Sequence, residues 1–203
     1  MIPRLYDVTQ GAILIDGVDI RQIRLQTLRE QIGYVSQQGV LFSGDIASNI
    51  RYSDENMPDE RMQQAARIAQ AEDFIKEKPD GYASPVARGG NNVSGGQRQR
   101  LSIARAIAKQ PRILMFDDSF SALDYRTDLQ LRQALKREMR DSTVLIVAQR
   151  ISTVLKADKI IVLDNGAIAG QGTHEELLET NAAYRAIAES QLSAEELKGG
   201  AAR

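Results

Sequence analysis

The sequence predicts an α/β fold: a parallel sheet wrapped by helices and interrupted by a helical insert over residues 53–108. Three observations predict it. Apolar runs such as "RILMF", "TVLIV" and "KIIVL" alternate with helical patterns in the C-terminal half, as strands buried on both faces do. The β-rich segments of the chain end in polar residues that fall at one edge of such a sheet. Between the first β-rich segment and these later runs lies a block of helical periodicity.

The elements follow in order. "GAILIDGVDI" (11–20) reads as strand, Asp16-Gly17 turn and strand, and "LQTLREQ" (25–31) as one or two helical turns. "IGYVSQ" (32–37) is a strand, and "QGVLFSGDIASNI" (38–50) is loop-like. Residues 58–77 read as one helix, with Pro58 at its first position and Asp59 and Glu60 at its positive end. "KPDGY" is a turn, and "QRQRLSIARAIAKQ" (97–110) is a helix with Leu101, Ala104, Ile107 and Ala108 on one face. Strand 112–118, helix 127–140, strand 143–149, short helix 150–157 and strand 159–166 follow. A last helix opens at "GTHEELLE", where Thr173 and Glu176 form a capping box. Residues 192–203 read as a loosely ordered tail.

Composition limits the function. The 203 residues fit one domain with a small subdomain, and the net charge of −1 gives no general affinity for nucleic acid or an anionic membrane. There is no cysteine and one histidine, His174, which excludes disulfides and Cys- or His-rich metal sites. No apolar run approaches the ~18–20 residues that cross a bilayer, and no signal-like segment follows Met1. The expectation is a soluble cytoplasmic chain that can be attached to something that crosses a membrane.

The chemistry gathers in a few places. Ser94-Gly95-Gly96 precedes a helix, where converging N–H groups and the helix end can hold a phosphate; equally, Ser94 can be only a cap and the glycines only a turn. Asp117 and Asp118 end an apolar strand, and such acids are costly to bury unless something pairs with them. One can hold Mg²⁺ while the next orients an attacking water, or Asp118 can simply begin the next turn. Gln37, "SALD" (121–124) and Gln149 sit at the same expected edge. Singly these are weak signals, but together their order is specific.

That order resembles the nucleotide-binding domain of an ATP-binding cassette (ABC) transporter, of the exporter half-transporter type, from about Met1 to Leu192. "VSGGQRQRLSIARA" is similar to the family signature, "ILMFDD" to Walker B, "SALD" to the D-loop, "VSQ" to the Q-loop and "IVAQRISTV" to the switch region. The resemblance implies a P-loop NTPase-like (RecA-like) sheet. Its partial α/β core is 1–52 and 109–191, and its helical subdomain, 53–108, ends in the signature. It also implies two cassettes facing head to tail, each ATP lying between the Walker motifs of one and the signature of the other. ATP and Mg²⁺ are then the ligands. Gln37, Ser94, Gly95, Gly96, Gln97, Asp117 and Asp124 touch nucleotide, Asp117 and Gln37 hold the metal, and Asp118 and Gln149 serve hydrolysis. A transmembrane domain docks at Leu41 and Phe42, which are expected at the surface, and the chain works at the cytoplasmic face of the membrane.

Three departures qualify the resemblance. The family usually has Asp-Glu, but the second acid here is Asp118, shorter by one methylene, about 1.5 Å of reach; roughly 1 Å of misplacement can cost about 100-fold. Gln149 replaces the usual switch histidine and cannot carry a proton near neutral pH. Both weaken hydrolysis at the chain's own site, whereas the signature is nearly intact, with Val93 where Leu is commoner. This resembles the degenerate-site subunit of a heterodimeric exporter, whose signature completes the partner's competent site. Finally, the sequence has no G-x-x-x-x-G-K-[ST]. The phosphate loop and its strand are expected to be missing, which leaves a gap in the sheet and an inactive isolated chain. The alternative is a non-enzymatic truncated cassette that acts only as a dimerisation or regulatory partner. Elsewhere, His174, Arg98 and Arg100 are expected at the surface, and Tyr52 and Tyr82 in packing.

Overall fold

The computed structural model describes residues 1–193, which fall into two compact units, Met1–Val147 and Ala148 onward. The first unit opens with strands β1 (Leu14–Ile15) and β2 (Val18–Asp19), antiparallel around Asp16 and Gly17. Both turn residues have positive φ, 50° and 79°, as a tight hairpin turn requires. Helix α1 (Leu25–Glu30) leads into β3 (Ile32–Val35). A short strand β4 (Gly44–Asp45), helices α2 (Ile46–Ile50), α3 (Asp59–Ile68) and α4 (Glu72–Lys76), and strand β5 (Pro85–Val86) follow. Helix α5 (Gly95–Ala108), strand β6 (Ile113–Asp117), helix α6 (Tyr125–Glu138) and strand β7 (Thr143–Val147) complete the unit.

The central sheet is parallel, in the order β3-β6-β7. Val35 pairs with Phe116 and Asp117 with Val147, so the strand ends are level at one edge. Its most covered face carries Leu114 and Phe116, which join Leu101, Ile103, Leu131 and Ile75 in a core where each is at most 1% exposed. Full burial contributes about 1.5–3 kcal/mol for each such side chain. A smaller cluster of Ile20, Leu28 and Ile32 packs with Ile113 and Met115 on the opposite face. Helix α5 has the four expected apolar residues buried and also buries Ile103, Ala106 and Gln99, so it runs through the unit rather than along its surface.

Several expectations are corrected. Residues 38–50 are not simply loop: β4 pairs antiparallel with β5, and α2 opens with a capping box between Asp45 and Ser48. The single helix over 58–77 is two helices. The chain turns at Gln70 (φ 56°), whose Nε2 donates to the carbonyl of Arg67 at 3.2 Å and caps the end of α3. Strand β7 is not covered on both faces: Val144 and Ile146 pack on the core, but Leu145 and Val147 are 38% and 58% exposed. Among the described residues β7 pairs with β6 alone, which leaves its outer edge without a strand.

The second unit contains helix α7 (Ile151–Val154), strands β8 (Ile160–Asp164) and β9 (Ala167–Gly172), and helices α8 (His174–Thr180) and α9 (Ala182–Gln191). Strand β8 was expected in the parallel sheet but pairs antiparallel with β9 through Asn165-Gly166, both of positive φ. The capping box of Thr173 and Glu176 is present. His174 is buried, not exposed: its ring meets that of Tyr184 edge-on, and its Nδ1 lies 2.8 Å from the Tyr184 hydroxyl. The expected tail lies almost wholly outside the described residues. Among the described residues no helix is long and apolar enough to cross a membrane.

Candidate functional site

The sheet edge gathers the first cluster. Because β3 and β6 run parallel with Val35 opposite Phe116, the residues two beyond each, Gln37 and Asp118, also face each other. Gln37 Nε2 donates to Asp118 Oδ2 at 3.1 Å. Tyr34 lies on the same face as Met115 and Asp117, and its hydroxyl donates to Asp117 Oδ2 at 2.9 Å. Burial, then the hydrogen bond and charge of Asp117, raise the Tyr34 phenol above its ordinary pKa, so it stays a donor at neutral pH.

Asp118 has a left-handed backbone, φ 45°, a conformation that short polar side chains tolerate best after glycine. Its N–H donates to the Val147 carbonyl, and Ser121 donates to the Asp118 carbonyl at 2.8 Å. Fully buried Ser119 donates to the carbonyl of Val35 at 2.9 Å and ties the ends of β3 and β6 together. The two acids are therefore held on a fixed turn rather than on a mobile loop.

The second cluster is the entrance to α5. Ser94 accepts from the Gln97 N–H, and the Gln97 side-chain oxygen accepts from the Ser94 N–H, each at 3.2 Å. This is a capping box, worth about 1 kcal/mol. Gln97, expected to meet nucleotide, thus uses its amide oxygen on the cap. A Cβ added at Gly95 would meet nothing within 4 Å, and one at Gly96 would approach the Ala122 carbonyl at 3.7 Å. Among the described residues no crowding calls for glycine at position 95; what glycine leaves there is open access to the helix end. The Ala122 contact also places the "SALD" segment beside this turn.

Asp124 caps α6. It accepts from the Thr127 N–H at 3.0 Å and the Thr127 hydroxyl at 2.7 Å, and the Thr127 side chain first, then its backbone, lowers the Asp124 pKa. Gln149 falls in the second unit, where its carbonyl accepts from Gln191 Nε2 at 3.0 Å.

The expected docking segment splits. Leu41 is 2% exposed and belongs to the core, against expectation, because the chain turns it inward under Val93 and Gly90. Phe42 is 42% exposed and stacks on Tyr52 with ring centroids 4.3 Å apart. Tyr52 is thus part of an exposed aromatic pair rather than of the packing. With Asp45, Ser48, Arg51 and Glu55 the pair lines a groove of about 410 Å³. The arginines of α5 are not a solvated face. Arg98 donates to the Gly89 carbonyl, Arg100 donates to the Gln70 carbonyl at 2.8 Å and covers the Phe74 ring, and Arg105 reaches Val40 and Asn49.

Sequence reading missed Tyr34, Ser119, Asn49 and Arg105. For Tyr34 there was a signal: two-residue alternation along "IGYV" and "ILMFD" puts it on the same face as Asp117. For the others, whose roles come from long-range contacts, there was none.

The ABC transporter family model matches residues 1–121. The chain is 47% identical over 194 residues to an uncharacterised ABC transporter ATP-binding protein of Mycobacterium tuberculosis, covering 94% of this chain and 33% of that protein. It is 45% identical over 184 residues to an ATP-dependent lipid A-core flippase of Syntrophus aciditrophicus, covering 91% and 31%. A solved bacterial Atm1-family ABC exporter with ATP bound superposes with a TM-score of 0.90 at 37% identity, over 95% of this chain and 34% of that one. The chain spans about a third of the length of the curated relatives it matches.

Proposed function

The chain belongs to the ABC transporter family, as a nucleotide-binding domain of the exporter type with the P-loop NTPase fold, and from that premise we propose how its two clusters divide the work. It pairs with a second cassette, binds ATP with Mg²⁺, and couples ATP binding and hydrolysis to export through a transmembrane domain at the cytoplasmic face. Its own site is weakened. The signature turn, Ser94 to Gln97, completes the competent site of a different partner subunit.

The sheet edge fits Mg²⁺. Asp117 offers a carboxylate, and Gln37, whose amide nitrogen is engaged by Asp118, offers its amide oxygen. These are hard oxygen donors of the number Mg²⁺ takes from a protein when phosphates supply the rest. When bound, the ion neutralises charge on the transferring phosphates. Tyr34 fixes the second oxygen of Asp117. Asp118 orients water from one methylene further back than a glutamate would, and Gln149 offers a hydrogen bond to the γ-phosphate but no proton transfer. Asp124 shapes the turn that carries "SALD" past the signature.

One observation carries the reading. The signature turn is fixed by its capping box, yet open at Gly95, so its N–H groups can meet a phosphate that comes from outside the chain. The exposed Phe42–Tyr52 pair supports docking of a short helix of the membrane domain in the adjoining groove.

The absence of cysteine supplies the test. With Ser94→Cys in this chain and a cysteine in the phosphate loop of the partner cassette, ATP should promote a disulfide between the two. No ATP-dependent cross-link, with both cysteines reactive, contradicts the composite site.

A further inference from the structure

Arg105 joins what the site description leaves separate. It lies on α5, the helix that begins at the signature turn, and its guanidinium fork reaches the groove. Nε donates to the Asn49 carbonyl at 2.9 Å, Nη2 to Asn49 Oδ1 at 2.6 Å, and Nη1 to the Val40 carbonyl at 2.9 Å. Its Cζ lies 4.7 Å from the Phe42 ring centroid and 5.5 Å from that of Tyr52. No carboxylate pairs with it among the described residues, and burial lowers its pKa to about 10.

Asn49 relays the grip. It is 1% exposed, accepts from the Phe42 N–H at 2.9 Å, and donates to the carbonyls of Phe42 and Asp45. The loop from Ser36 to Val40, which carries Gln37, lies on the same helix: Gln99 donates to the Ser36 carbonyl, and a Cβ at Gly39 would sit 2.9 Å from both the Gln99 and Ser102 side chains. A planar fork with three acceptors transmits displacement in a way that one flexible ammonium does not.

We infer that Arg105 is a positioning residue that fastens the signature helix to the aromatic groove, so that displacement of the signature turn moves Phe42 and Tyr52 with it. This rests on the reading of the groove as the membrane-domain docking site, and it adds the means by which ATP closure at Ser94–Gly96 reaches that site. The desolvated cation is retained because carbonyls and two ring faces surround it, whereas a surface ion pair would not constrain the rings.

The test uses the complete exporter with Ser43→Cys in this chain, labelled with a benzophenone maleimide at the groove rim. It also uses 3-fluorotyrosine NMR of the chain, whose six tyrosines report on folding and whose Tyr52 signal is assigned by Tyr52→Phe. The unsubstituted background should cross-link to the membrane domain in a yield that changes on adding ATP. Arg105→Met should shift the Tyr52 signal, leave the other five in place, keep the cross-link and lose its ATP dependence. Its ATP turnover should fall in kcat with KM held. If all six signals collapse, Arg105→Lys decides, because it keeps the charge and loses the fork; it too should lose the ATP dependence. Absence of any cross-link in the background overturns the docking reading and the inference with it. An ATP dependence unchanged in the folded Arg105 variant leaves docking standing and overturns the inference alone.

Discussion

Gln37 and Asp118 face each other across the ends of two parallel strands, the glutamine amide donating to the carboxylate at 3.1 Å. The pairing follows from register: β3 and β6 are level, and each continues two residues past a paired position. It gives the shortened acid a fixed partner and, by engaging the amide nitrogen of Gln37, leaves its single amide oxygen for a cation.

The 203-residue chain alone should turn over no ATP. It contains no G-x-x-x-x-G-K-[ST], whose backbone donors and lysine cradle the β- and γ-phosphates. Phosphate release by the purified chain above the protein-free rate, abolished by Asp117→Ala, would contradict this.

Ser94→Ala should destabilise the chain by about 1 kcal/mol, because the N–H groups at the start of α5 lose their cap. Urea denaturation followed by circular dichroism measures it. An unchanged midpoint would mean that the cap contributes nothing and that Ser94 is kept for another purpose.

Gly33→Ala should cost about 1–3 kcal/mol by overpacking. The added carbon would lie 2.8 Å from Pro111 and 2.9 Å from the carbonyl of Ala106, and a backbone oxygen has little room to yield. The same denaturation experiment decides, and a loss under about 0.3 kcal/mol would show that β3 shifts freely against α5.

His174 should make stability depend on pH. Its surroundings lower its pKa, with burial the first cause and nearby Glu175 opposing, and its Nε2 is buried with no hydrogen-bond partner among the described residues. The unfolded chain then binds a proton more readily than the folded one below the ordinary histidine value of about 6.5. The contribution is fully present above that value and is lost as pH falls below it. The urea midpoint should drop between pH 7.5 and 5.5, and His174→Gln should reduce that drop. An equal drop in the variant would place the cause elsewhere.

Much of this was legible in the sequence, for physical reasons. Period-2 and period-3.6 patterns placed β3, β6, β7 and α5 to within a few residues, and the capping box at Thr173 and the cap at Ser94 were legible because such effects are local. The misses were tertiary. Leu41 reads as an exposed contact residue until the chain folds it inward beside Gly90. Gln70 breaks α3 from α4 with a left-handed turn that no glycine announces. Asn165-Gly166 is a hairpin turn within what reads as a single strand, because five of the six residues of β9 are small or polar and give no strand signal. His174 is polar at a helix start, and only its pairing with Tyr184 explains its burial.

The central claim is asymmetry: the signature of this chain serves the competent site, and its own acid pair serves the weakened one. Steady-state ATPase of the complete exporter, carrying either Gly95→Asp or Asp118→Ala, tests this most directly. The open space at Gly95 would be filled by a carboxylate where backbone donors meet the partner's phosphate, and losing even one such donor costs about 100- to 1,000-fold. The account predicts that Gly95→Asp stops turnover while Asp118→Ala removes little of it. If Asp118→Ala proves as damaging as Gly95→Asp, the chain's own site is competent and the asymmetric reading is wrong.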